Sequence, residues 1–207
     1  MATVDRCAQT DSVDAALALW RQGDCVLHGD HWFAHRIDTG FPLTEAGCYS
    51  AAEGQSLTEQ KVAGLALVTQ TCDIVRTCTE RPFVAVSPLV EVDQAHLRTV
   101  RRGIHPRHAI VPALRDHNLV VDLDRVMTVE KPLVAKWKRT PGCTTDAHAR
   151  DFAQTLTRKH ARFAFPDDFT SFIKKLRDRL AGKHDKATAE GRTLQALRAI
   201  RFHAKPS

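Results

Sequence analysis

Arg81-Pro82-Phe83-Val84-Ala85-Val86-Ser87-Pro88 is the stretch on which the fold turns. It is an apolar, β-branched run with a proline at each margin, where a missing N–H does least harm to a strand ladder. About a dozen polar residues separate it from Leu65-Ala66-Leu67-Val68-Thr69, which reads as a second buried strand. Further strands are predicted at Cys25-Val26-Leu27, Ala109-Ile110-Val111-Pro112, Leu119-Val120-Val121-Asp122-Leu123 and Val126–Val129. Residues 28–54 are polar and rich in His and Gly, and predict loops and short strands; 96–108 read as basic and irregular. Ahead of the strands, Asp11 or Ser12 caps a helix in which Val13, Ala16, Leu17 and Trp20 fall at i, i+3, i+4 and i+7, ending near Gln22-Gly23.

Downstream, residues 139–147 carry Pro, Gly and a Thr pair, which marks a change of architecture. The expected organisation is therefore α+β: a strand-rich domain over 1–138 and a basic helical tail over 148–207. In the tail, Phe152, Leu156 and Phe163 recur at helical spacing. Asp167 caps an amphipathic run of Phe169, Phe172, Ile173, Leu176 and Leu180 that Gly182 stops, and Thr188 caps a last helix bearing Leu194, Leu197 and Ile200.

The chain has 207 residues, enough to bury a core without disulfide staples. Its apolar runs fall far short of the roughly 20 residues of a spanning helix, and the N-terminus lacks a basic region leading into an apolar stretch, so a cytoplasmic, membrane-free protein is expected. Six scattered cysteines without a CxxC pair fit reduced thiols. The formal charge of +6 is uneven: residues 1–135 hold 13 Lys/Arg against 17 Asp/Glu, and residues 136–207 hold 17 against 7. So basic a region suits a phosphate backbone or an acidic partner. There is no Walker loop, no G-x-G-x-x-G after a strand, no G-x-S-x-G, no H-E-x-x-H and no Ca²⁺ loop. No cofactor is expected.

Three segments carry candidate chemistry. Thr69-Gln70-Thr71-Cys72-Asp73-Ile74 follows the first buried strand, and strand ends aim side chains at an open edge. Cys72, with Asp73 beside it and Arg76 after it, reads either as a nucleophile or as a small packed thiol whose neighbours Thr71 and Asp73 satisfy turn amides. His28, His31 and His35, near Cys25 and Asp30, raise a metal site, but their spacing lacks a cysteine knuckle and none is predicted. Arg98, Arg101, Arg102, Arg107 and Arg115, with His96, His105 and His108, form a basic patch in the otherwise acidic front half. Arg98, Arg101, Arg102 and Arg107, together with Lys174, Lys175 and Arg177 of the tail, are the predicted nucleic-acid contacts, to RNA or DNA. Aromatics are 6% of residues, which disfavours a stacking platform for single strands.

Gly23-Asp24-Cys25-Val26-Leu27, Arg81–Pro88 and Val121-Asp122-Leu123-Asp124-Arg125-Val126-Met127-Thr128-Val129-Glu130-Lys131 occur in this order. Each is similar to a segment of the PemK/MazF family: its opening "GDIV" strand, its "RPxxVxSP" strand and its "LDQIRTVDK" segment. The resemblance covers about 25 residues of the front domain. It implies a small SH3-like β-barrel and metal-independent RNA cleavage in a toxin–antitoxin or defence setting, with Arg81 at the family's arginine position. The family's Thr-bearing strand follows its RP strand, whereas here Thr69, Thr71 and Cys72 precede it. Arg81, Arg76, Thr71, Cys72 and Asp73 are the expected catalytic group. The other reading is a non-catalytic nucleic-acid- or protein-binding component whose tail helices dock on a partner.

Overall fold

A computed structural model of the chain describes residues 2–103 and 105–161 and, beyond them, 171, 175, 176, 178, 179 and 188–193; side chains are described from Thr10 onward, that of Arg115 excepted. The chain divides into two compact units, Met1–Ala161 and Arg162–Ser207. The first is mixed α+β.

Its centre is β5 (Phe83–Glu91), which pairs antiparallel with β4 (Leu65–Leu67), with β7 (Leu119–Asp122) and with β8 (Met127–Glu130). The first half of β5 lies between β8 and β4, with Val84 opposite Val129 and Val86 opposite Leu67; its second half leaves them and pairs Leu89 with Val121. The strand was expected to stop at Pro88, yet it runs through it. Pro88 faces Leu65, the first residue of β4, and the next amide, Leu89 N–H, donates to the Gly64 carbonyl at 2.9 Å. The missing N–H thus falls where β5 changes partners. β1 (Cys25–Val26) extends the sheet beyond β4, and β6 (His108–Ala109) beyond β7. No ladder among the described residues joins β1 to β6, so the sheet is open. A separate hairpin pairs β2 (His31–Arg36) with β3 (Leu57–Val62), and α2 (Glu45–Ala52) sits between them in sequence.

The uniformly apolar run at β4 follows from helices on both faces. Leu65 and Leu67 point into one core with Leu17, Trp20, Val84, Val86, Val129 and Val134. These come from α1 (Ala2–Leu17) and its exit, from the sheet, and from α5 (Lys131–Val134). Ala66 points into the opposite core with Leu89, Val121, Leu114, Phe152 and Leu156. A sheet covered on both faces has no polar side to alternate with, and each fully buried Leu or Phe contributes about 1.5–3 kcal/mol.

Phe152 and Leu156 belong to α6 (Asp146–His160), whose N-cap Thr145 accepts the His148 N–H. α6 therefore packs within the front unit. The change of pattern at 139–147 is a crossing over the sheet, and the division between units falls after Ala161. A third cluster holds Leu97, Val100 and Val120, under α4 (Gln94–Arg101). This helix replaces the irregular segment expected there: Asp93 caps it by accepting the His96 N–H at 2.6 Å.

The second unit shows helical residues at 171, 175, 176, 178 and 179, and Thr188 accepts the Gly191 N–H at 3.1 Å, as an N-cap does. Asp167, Phe169, Phe172, Ile173 and Leu180, and the last-helix residues Leu194, Leu197 and Ile200, lie outside the described residues. Among the described residues, no helix is long and apolar enough to cross a membrane.

Candidate functional site

Beyond β4 the chain is fastened to β5: the Val68 N–H donates to the Ala85 carbonyl at 3.0 Å, and Thr69 Oγ1 accepts the Ala85 N–H at 2.6 Å. It then enters a single turn of helix, α3 (Thr71–Ile74), whose Ile74 is fully buried. Thr71 Oγ1 accepts the Gln22 N–H at 3.1 Å, and the Gln22 side chain donates to the Val68 carbonyl. Anchored at both ends, the turn holds Cys72 in solvent, its sulfur 3.6 Å from Gln70 Oε1. Asp73 is half-buried beside it.

Because β4 and β5 are antiparallel, the end of one lies beside the beginning of the other. Arg81, just before β5, is thereby brought to Asp73, with Nε 3.8 Å from Oδ1; Arg76 stands at the same distance from the same oxygen. Both guanidiniums are more than half exposed. The separations exceed a hydrogen bond, so these pairs are weak and a phosphate oxygen can compete for the arginines. Thr71, Cys72, Asp73, Arg76 and Arg81 thus share one surface.

Sequence reasoning missed Lys131. It follows β8, and its backbone N–H donates to the Pro82 carbonyl. Its side chain is completely buried, with Nζ donating to the Arg76 carbonyl. Burial pulls its ammonium below the usual lysine range, and Cys78, Asp14, Asp73 and Glu80 nearby pull it back. A buried lysine on that carbonyl fixes the backbone from which Arg76 projects.

The expected nucleic-acid contacts separate. Arg98, Arg101 and Arg102 are exposed on and after the last turn of α4. Arg107 is engaged within the fold. It donates Nε and Nη2 to the two oxygens of Asp122, a fully buried carboxylate that Arg125 also holds at 2.8 Å. Burial pushes the Asp122 carboxyl up, but the Arg107 and Arg125 guanidiniums and the Asp124 amide outweigh it and hold it below the usual carboxylate range. Lys159 of α6 pairs with Asp124 and joins this knot to the helix. Lys175 is exposed; Lys174, Arg177 and the Arg115 side chain lie outside the described residues.

The histidines at 28–35 do not converge. His31 and His35 lie at opposite ends of β2, and His31 Nε2 meets the His28 carbonyl at 3.0 Å. Among the described residues, no group of three His, Cys, Asp or Glu is placed to hold a metal ion.

Asp24 has a structural part. It is fully buried and accepts the Arg21 N–H (2.8 Å), the Gly142 N–H (3.0 Å) and Arg139 Nε (2.6 Å). Residues 139–142 are thereby strapped over the edge of β1, where Cys25 and Thr140 exchange backbone hydrogen bonds. A Cβ on Gly142 would lie 1.8 Å from the Gly23 carbonyl oxygen, so only glycine fits.

No family model, curated protein or solved structure matches the chain.

Proposed function

We propose that this is a nucleic-acid-directed protein of the bacterial cytoplasm and a metal-independent endoribonuclease of a toxin or defence system. The observation that carries the reading is the convergence of Arg76 and Arg81 on Asp73 at an exposed strand end. In this reading the guanidiniums receive the scissile phosphate and stabilise the charge that builds on its oxygens. Asp73 takes the proton of the ribose 2′-hydroxyl, and the 2′-oxygen attacks phosphorus. The bond to the 5′-oxygen then breaks, and that oxygen takes its proton from Cys72 or Thr71 on the same turn. The products are a 2′,3′-cyclic phosphate and a 5′-hydroxyl. An SH3-like barrel left open is the finer reading of the fold, supported by a long β5 shared between two halves of the sheet.

A non-catalytic nucleic-acid- or protein-binding component of a defence or regulatory complex is the second reading. It is favoured by one observation: Thr71 already serves the Gln22 amide and Asp73 already has two arginines, so the turn is satisfied without a substrate. Incubating wild type and Arg81→Ala with a mixed RNA pool, with and without EDTA, tests the first reading. Cleavage that survives EDTA and falls by about 10²–10³-fold in the variant is the expected result. An RNA pool left intact by the wild type refutes catalysis.

A further inference from the structure

Arg76 and Arg81 face a carboxylate of their own chain; a second group of arginines does not. A cleft of about 590 Å³ lies between the end of α4, the segment that follows it, and α6. Arg101, Arg102, His105, His148 and Arg158 line it, with Asp116 and Asp151. None of these three arginines forms an ion pair or a side-chain hydrogen bond among the described residues, although two carboxylates share the cleft.

The fold brings them together. α4 ends at Gly103, whose φ of +69° turns the chain back, and Arg158 Nη1 comes within 3.6 Å of where a Cβ would stand on that glycine. The guanidinium of α6 thus reaches the end of α4 that carries Arg101 and Arg102. The free carbonyls of α4 are a weak negative element here, and the Arg102 and Gly103 amides already turn back on two of them.

His105 is fixed as well. Its ring stacks on that of His96 with centroids 4.8 Å apart, and His96 Nε2 meets His108 Nδ1 at 2.8 Å. An imidazole held by a second imidazole, itself hydrogen-bonded, is a preorganised group in the cleft wall.

We propose that this cleft binds a phosphate group through Arg101, Arg102, Arg158 and His105, and that on a polynucleotide it grips the backbone at a second point away from the Asp73 turn. The second half of this statement rests on the nucleic-acid reading above. Arginine forks match phosphate oxygens, and a cleft of this size takes a whole nucleotide. Asp116 and Asp151 then offer acceptors that a ribose hydroxyl or base amino group uses and inorganic phosphate does not.

The test follows arginine Nε–H and histidine ring signals of the ¹⁵N-labelled full chain by NMR during titration with inorganic phosphate, with adenosine 5′-monophosphate and with a short single-stranded RNA. The wild type is compared with Arg102→Gln/Arg158→Gln and with Arg102→Lys. Saturable shifts at His105 and Arg158 are expected, with affinity at least about tenfold weaker in the double glutamine variant and intermediate in the lysine variant. For RNA, the slope of log affinity against log salt should fall by about 2 in the double variant. Silence of His105 and Arg158 with all three probes overturns the proposal, as does RNA binding of unchanged strength in the double variant. Phosphate and mononucleotide binding here without tighter RNA binding leaves the anion site standing and removes the nucleic-acid reading. RNA cleavage that needs Arg81 but is indifferent to the double variant does the reverse.

Discussion

Asp24→Ala removes a carboxylate that three donors share inside the front unit, and the geometry sets the size of the loss. Hydrogen bonds to a charged group contribute about 1.5–3 kcal/mol each. The three here come from the Arg21 amide, the Gly142 amide and the Arg139 guanidinium. Arg139 keeps some contact with solvent and rehydrates when released, so its share lies near the bottom of that range. The Gly142 amide is buried and has nowhere to turn. The net destabilisation is about 3–5 kcal/mol, as for a buried pair that loses one partner. At roughly 2–4 °C per kcal/mol for a unit of this size, the melting temperature falls by about 10–15 °C. Urea unfolding followed by the emission of Trp20, which is buried in the adjoining core, reads the change directly. Arg139→Ala and the double variant complete a cycle in which the coupling should exceed about 1 kcal/mol. A loss under about 1 kcal/mol for Asp24→Ala would refute the clamp.

Two further substitutions probe the same framework. Asp122 has a folded-state pKa below the roughly 3.9 of an unfolded chain, so its contribution is complete above that value and is lost as pH falls through the folded one. Asp122→Asn should therefore be less stable than wild type at neutral pH and show a shallower acid limb in pH-dependent urea melts; parallel acid limbs would contradict this. Gly142→Ala places a methyl against the Gly23 carbonyl and Val111. It should destabilise by more than about 4 kcal/mol in the same assay, and a near-wild-type melt would mean that the strap is not held as described.

The strands with continuous β-branched character, β4, β5, β7 and β8, were legible because burial on both faces leaves an apolar run that little else explains. α4 was not, because only Leu97 and Val100 are buried on it and arginines and histidines fill its other faces. Asp93, three residues before His96, was the available signal. The hairpin of β2 was hidden for a related reason: its inward face reads His31, Phe33, His35, and polar rings broke the expected alternation.

At the candidate site, the grouping of Thr71, Cys72, Asp73 and Arg76 followed from adjacency. The arrival of Arg81 depended on an antiparallel β4–β5 register that no local pattern encodes, and Lys131 reaches the site only through β8. Arg107 looked like its neighbours in sequence, and it was the pairing of β6 with β7 that set it on Asp122.

The strap over β1 also has a history in time. Asp24 and Gly142 are 118 residues apart, so during synthesis β1, β4, β5, β7 and β8 all leave the ribosome before the partners of Asp24 do. At about 5–20 residues per second that interval is on the order of ten seconds. Through it the outer edge of β1 has no neighbour, and the nascent sheet carries an open edge able to accept a foreign strand. A chain stopped at residue 138 would remain in that condition permanently.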